Sequence, residues 1–205
     1  MIAYPLDNIL IVYGKKLKLN LAFDNVLRVM DLQKEKSLED TDKLDISLEM
    51  LVKNYKKVKK LDYRKKVEVL NKIFNTFISP PSNKPSSNEK VFDFKQDSEY
   101  IYSSFMLDYG IDLIEQQGKL DWRKFIALFQ GLSENAKISQ VISIRTQEIP
   151  TPNKYNQKQI EALQKAKVYY RLQLPEEEAK EQFQKGLNKL ADTLMQRAVK
   201  KDAED

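Results

Sequence analysis

DYGIDLIEQQGKLDWRKFIALFQGL, residues 108–132, decides how this chain is read. It crowds large apolar side chains and the only tryptophan among helix-forming polar residues, and glycines 110, 118 and 131 punctuate it. Asp121 suits a helix N-cap. Trp122, Phe125, Ile126, Leu128, Phe129 and Leu132 then cover well over half of a helix circumference, and Gly131 ends that helix. Upstream, the same rhythm predicts a helix from Asp97 or Ser98, with Ile101, Tyr102, Phe105, Met106, Tyr109 and Leu113 on one broad face. Gly110 either sits inside it at a cost of about 1 kcal/mol relative to Ala or interrupts it, and Gly118 closes it. Downstream, Ser133 is expected to cap a third helix carrying Ile138, Val141 and Ile142.

Composition bounds what this helical segment can serve. The 205 residues are 41% hydrophobic and can bury a real core. Cysteine and histidine are absent, which excludes disulfides, thiolate chemistry, the usual zinc sites and His-dependent acid/base catalysis. No apolar run approaches the roughly 18 to 20 residues that cross a bilayer, and MIAYPLDNILIVYGKK has no basic n-region or small-residue cleavage site. A soluble, intracellular protein without membrane contact is the expectation. The net charge of +5 is mild but unevenly spread. Residues 53–66, KNYKKVKKLDYRKK, hold eight Lys or Arg against the single Asp62, so basicity is local.

Outward from the centre, the amino terminus changes period. NILIVYGKKLKLNL predicts two short strands around Gly14-Lys15, because Leu17, Leu19 and Leu21 alternate with polar residues. Two strands alone are marginal in water, so this hairpin must dock its Leu face on helices or pair its edge with another chain. Asp24 is expected to cap a helix with Phe23, Val26, Leu27 and Met30 on its apolar face, ending near Ser37. Leu44, Leu48, Leu51, Tyr55 and Val58, then Tyr63, Val67, Leu70, Phe74 and Phe77, predict two amphipathic helices joined near residue 61, or one continuous helix. On the first version Lys56 to Lys60 sit favourably at a helix carboxyl end. Arg64, Lys65 and Lys66 sit unfavourably at an amino end, each by some 0.3 to 1 kcal/mol.

Proline sets the borders. SPPSNKPSSNEK, residues 79–90, holds no regular element. The chain is thus organised as 1–78, hairpin plus amphipathic helices; 79–92, a Pro/Ser-rich loop; 93–150, an aromatic-rich helical core; and 151–205, a charged helical C-terminal tail. In the tail, Phe183, Leu187, Leu190 and Leu194 form a narrow heptad-like seam. It either docks on Ile160, Leu163, Tyr170 and Leu174 of the same chain or self-associates into a homo-oligomer. The fold class is mainly α, an amphipathic helical bundle with a short N-terminal β-hairpin.

From Phe94 to Pro150, three ordered motifs carry a resemblance: Asp-Tyr-Gly-Ile-Asp-Leu from Asp108, Trp-x-x-Phe-x-x-Leu-x-x-Gly-Leu from Trp122, and Ile-Arg-Thr from Ile144. This region resembles a family of small tail proteins of bacteriophages and prophages of Gram-positive bacteria. The resemblance implies a product encoded beside the tape measure gene, in the position of the tail assembly chaperones. It implies as partners the tail tape measure protein, the tail tube protein and a companion chaperone, and as location the cytoplasm of the bacterial host. It implies no catalytic residue.

Three side-chain groups remain to be weighed. Trp122, Phe125 and Phe129, faced by Tyr102, Phe105, Met106 and Tyr109, are either core or the anchors of a helix-in-groove surface, and the second requires some of them to be exposed. Asp108, Asp112 and Glu115, one helix face at i, i+4 and i+7, with Asp121, invite a metal reading. An acidic solvated face is the simpler one, and no metal, cofactor or catalytic residue is expected. Lys56, Lys57, Lys59, Lys60, Arg64, Lys65 and Lys66 form a solvated face or attract an acidic protein surface. Nucleic acid is disfavoured because Arg is scarce among them. The expected function is a non-enzymatic tail assembly chaperone that keeps hydrophobic helical segments of the tape measure protein soluble. The alternatives are a structural tail or connector component retained in the virion, and a nucleic-acid-binding accessory protein acting through residues 53–66.

Overall fold

A computed structural model describes residues 5–79 and 90–173. Among them the chain forms one two-stranded hairpin and eight α-helices, so the protein is mainly α as its periodicity predicts. Strands β1 (Ile9–Val12) and β2 (Lys15–Lys18) pair antiparallel, Val12 opposite Lys15. The turn is Tyr13-Gly14 rather than Gly14-Lys15. Both residues have positive φ, 51° and 67°, the two-residue geometry whose twist matches that of the strands. The Leu face docks on the helices as required, with Leu17, Leu19 and Leu21 all at 2% exposure or less.

Helix α1 (Phe23–Lys34) begins at Ala22, not at Asp24. Asp24 lies inside the first turn, where its carboxylate accepts from the Gly118 N–H at 2.8 Å and pairs with Arg28. Helix α2 (Asp40–Leu51) stops earlier than its apolar spacing suggests, because the chain leaves the helix to meet the hairpin. Val52 turns extended and bridges Leu19, the Lys53 N–H donates to the Lys18 carbonyl, and Asn20 donates to Leu51. The lysines then start a separate single-turn helix, α3 (Lys56–Lys59), so they do not end α2. Nor is the helix continuous across residue 61. Asp62 caps α4 (Tyr63–Ile73), accepting from the Lys65 N–H, and that carboxylate together with the Lys66–Asp45 pair offsets the basic residues at the amino end. A π-helical turn, Phe74–Ile78, follows.

Helix α5 (Ser98–Tyr109) starts where predicted and ends at Gly110, whose φ of 62° is a left-handed cap. Residues 111–120 are turns, so Gly118 closes no helix, and Asp108, Asp112 and Glu115 share no helical face. Helix α6 (Trp122–Gln130) is capped by Asp121 and ends at Gly131. Helix α7 (Lys137–Thr146) starts after Ala136, three residues later than a Ser133 cap would place it. Ser133 is otherwise engaged: its N–H and hydroxyl both donate to Asp108, at 2.7 and 3.0 Å.

One core joins the hairpin, α1, α2, α4 and the aromatic segment. Its centre is Phe125, stacked on Phe23 at 4.9 Å and on Phe105 at 5.2 Å between ring centroids. The Trp122 indole N–H donates to the Ile78 carbonyl at the end of the π turn, 2.9 Å away. At the far end, Arg145 of α7 makes a two-pronged pair with Asp97, both bonds 2.7 Å, and also donates to the Val91 carbonyl. The Asp97 side chain is 2% exposed and that of Arg145 11%. The compact unit containing these elements runs through Gln147. A second unit begins at Glu148 and contains α8 (Gln157–Tyr169), where Ile160 is buried and Tyr155, Val168 and Tyr169 are exposed. The seam Phe183, Leu187, Leu190, Leu194 and its suggested neighbour Leu174 lie outside the described residues.

Removing one member of a buried ion pair leaves the other charge uncompensated. Asp97→Asn or Arg145→Met is therefore expected to lower the unfolding free energy by about 3–5 kcal/mol, measured by urea denaturation.

Candidate functional site

The aromatic residues proposed as a binding surface divide into two sets. Trp122, Phe125 and Phe105 are core, at 3%, 1% and 0% exposure. Phe129, Tyr102 and Tyr109 are half-buried, and Met106 is open to solvent. Tyr109 donates to the Leu128 carbonyl at 2.9 Å, and a side chain on Gly131 would meet its hydroxyl oxygen at 3.2 Å, so α5 and the end of α6 are locked together there. Met106 and Leu107, 69% exposed, lie on the solvent side of α5.

A groove runs beside this helix pair. Its wider part, about 410 Å³, lies between α1, α5 and the turns after Gly110. Phe23, Ile101, Leu113 and Phe125 form a buried floor, while Leu27, Tyr102 and Ile114 make the walls. Ser98, Glu99 and Gln117 add the polar groups. The groove continues past Leu27, Phe94 and Ser98, which line both parts, into a second hollow of about 370 Å³. There Met30, Phe92 and Phe94 are apolar, with Asp31, Lys34, Lys90, Asp93 and Lys95 around them.

The walls are held from behind. Phe94 packs on Phe125, Trp122 and Phe129 at 5.7–5.8 Å, and Phe92 meets Phe129 at 5.0 Å. Asp112 accepts from the Ile114 N–H at 2.8 Å and from the Tyr102 hydroxyl at 3.3 Å, which fixes one wall to the other. Burial, reinforced by the Asp112 carboxylate, raises the Tyr102 phenol above its ordinary value. Ile114 is left 66% exposed at the lip. The second hollow is organised by Asp93. Burial opposes its charge, but hydrogen bonds from Lys90 and from the Gln96 and Lys95 amides prevail and hold it well below the usual carboxylate range.

Sequence reasoning finds Tyr102 and Phe125 of this groove and misses Leu27, Phe92, Phe94 and Ile114. Phe92-Asp-Phe94, two aromatics around an acid between a proline-rich stretch and a helix, is the signal that points to the second hollow. Ile114 has none, because its exposure follows from the break at Gly110. The acidic cluster is otherwise occupied: Asp108 holds Ser133, Asp112 ties the groove walls, and Asp121 caps α6 and pairs with Arg123. Among the described residues no group of three or more acidic side chains is placed to hold a metal ion. Among them, too, no helix is long and apolar enough to cross a membrane. The basic residues 56–66 lie away from the groove lining.

A family model matches residues 6–172, spanning the hairpin, the groove and α8. The chain belongs to the bacteriophage Gp15 protein family. No curated protein and no solved structure matches this Gp15-family chain. Membership makes it a bacteriophage protein.

The depressed pKa of Asp93 has a definite pH signature. Its contribution to stability is full above the unfolded-state carboxylate value and is lost as pH falls toward the folded value. Wild-type Tm is therefore expected to drop on acidification below about pH 4. Asp93→Asn should be less stable at pH 7 and should show a shallower acid slope by calorimetry.

Proposed function

We propose that this Gp15-family protein is a tail assembly chaperone that binds hydrophobic helical segments of the tape measure protein and keeps them soluble, without chemistry of its own. The observation carrying this reading is the open groove with a sealed aromatic floor and an exposed apolar lip at Ile114. An amphipathic helix laid there would press its apolar face onto Tyr102, Leu27 and Ile114. Glu99 and Gln117 would hydrogen-bond at its margin.

Two physical points support it. The floor residues Phe23 and Phe125 are stacked on each other, and Phe105 stacks on Phe125 beneath them, so the groove is preformed and little ordering cost falls on binding. The walls carry Leu27, Met30 and Ile114, flexible or unaligned aliphatics that accommodate varied client side chains. Burial at about 25 cal/mol per Å², set against the cost of association, gives the modest affinity that displacement by tail tube subunits requires. The reading places the protein in the cytoplasm of a Gram-positive host during assembly.

Co-expression with the tape measure protein tests it. Soluble tape measure yield is expected to rise and the two proteins to co-purify. Ile114→Glu, at an exposed position where folding is not at stake, should weaken binding about tenfold or more, since a groove anchor is worth roughly 2 kcal/mol. Unchanged tape measure solubility with wild type, or detection of the protein in stoichiometric amounts in purified virions, would overturn the chaperone reading in favour of a structural role.

A further inference from the structure

The lysines that form one run along the chain belong in space to a larger group. Residues 53–57 cover the outer edge of β2. The Lys53 N–H donates to the Lys18 carbonyl at 2.8 Å, the Lys18 N–H to Asn54 Oδ1 at 2.9 Å, and Asn54 Nδ2 to the Lys16 carbonyl at 3.0 Å. The Asn54 amide thus stands where a neighbouring strand's peptide would. This contact brings Lys15, Lys16 and Lys18 beside Lys53, Lys56, Lys57, Lys59 and Lys60, eight ammonium groups on two segments that contain no carboxylate.

None of the eight forms an ion pair with a described residue, whereas Lys65, Lys66 and Lys72 further along each hold one. Two of the eight bind backbone instead: Lys15 Nζ lies 2.7 Å from the Lys57 carbonyl and Lys57 Nζ 3.2 Å from that of Lys16. Holding like charges together without counter-charges works against the folded state, and an anionic partner would relieve that repulsion.

The patch is not purely ionic. Ile11 stands opposite Lys16 in the hairpin register and is 72% exposed. On β1 it lies on the face turned away from buried Val12. We propose that the hairpin's outer face and residues 53–60 form a docking surface for an acidic, amphipathic polypeptide segment, with Ile11 as its apolar contact. Two features favour polypeptide over nucleic acid. All eight cations are lysines, point charges without the planar fork that arginine offers to phosphate. An isoleucine among them gains nothing from a phosphate backbone but packs on an apolar side chain of an amphipathic segment. The nearby Tyr13 ring is no free stacking platform, because its hydroxyl donates to Glu68 and Lys72 lies over its face.

The surface is distinct from the groove, and the test keeps them apart by using the full chain carrying Ile114→Glu. Fluorescence anisotropy compares a labelled peptide with a glutamate-rich and a leucine-rich face, polyglutamate, single-stranded oligothymidine and duplex DNA. The amphipathic peptide is expected to bind tightest. Combined Lys16→Glu, Lys56→Glu and Lys60→Glu should weaken it by about tenfold or more with an unchanged circular dichroism spectrum. Ile11→Ser should weaken the peptide several-fold and leave polyglutamate unaffected. Tighter binding of either nucleic acid with a steep salt dependence would overturn the proposal. So would absence of binding to all probes, or charge-reversed protein that binds the peptide as before.

Discussion

Two backbone hydrogen bonds hold the architecture to one solution. The Phe23 N–H donates to the Leu120 carbonyl at 2.9 Å and the Trp122 N–H to the Leu21 carbonyl at 2.7 Å, forming an isolated antiparallel bridge between Ala22 and Asp121. This single bridge sets the start of α1 against the start of α6, and so lays Phe23 flat on Phe125. Arg123 extends the join, donating to the Asp7 carbonyl and to Asn8 while its guanidinium lies over Phe77. The segments on either side of the hairpin are thereby tied to the aromatic helix, while the open edge of a hairpin that is marginal alone is closed by Val52 and Lys53. The groove is a by-product of the same geometry. The space between α1, α5 and the turns after Gly110 is floored by Phe23 and Phe125 rather than filled.

The residues that carry the resemblance to phage tail proteins are fold-holding residues. Asp108 anchors Ser133, Tyr109 closes against Gly131 and Leu128, Gly110 supplies the left-handed cap, and Asp112 ties the turn to Tyr102. Trp122 secures the π turn, and Arg145 of Ile-Arg-Thr clasps Asp97. The motif therefore reports an architecture, consistent with membership of a family shown across residues 6–172. On the proposed function, client selection rests on other residues, chiefly Leu27 and Ile114, where side chains can vary without touching the joints.

What was legible in the sequence follows from the range of the forces involved. Periodicity and local capping are short-range, so the hairpin, the start of α5 and the Asp121 cap were readable from neighbouring residues. Misreadings arose where a distant partner outbid a local preference. Asp24 and Ser133 have side chains suited to capping, yet each is used across the fold, by Gly118 and by Asp108. The α2 spacing continues through Tyr55, yet the open edge of β2 draws the chain out of helix at Val52 to satisfy peptide groups that would otherwise lack partners. Asp112 looks like a third member of an acidic helical face until Gly110 turns the backbone left-handed. The same break creates the exposed Ile114, so that lip was hidden for the same physical reason.

The distribution of aromatic rings resolves the apparent excess of hydrophobic side chains around residues 108–132. A client surface built from fully exposed aromatics would be an aggregation hazard in the free protein. Here Phe105, Trp122 and Phe125 are buried against one another, and the groove offers solvent aliphatic edges, the partly buried Phe92 and Phe94, and one phenol that is already hydrogen-bonded. Such a surface gains free energy when an apolar helix covers it, yet leaves little unsatisfied when it is vacant. On the proposed function, that balance suits reversible shielding: a core strong enough to keep the groove's shape, beneath walls apolar enough to attract a helix and small enough in area to release it.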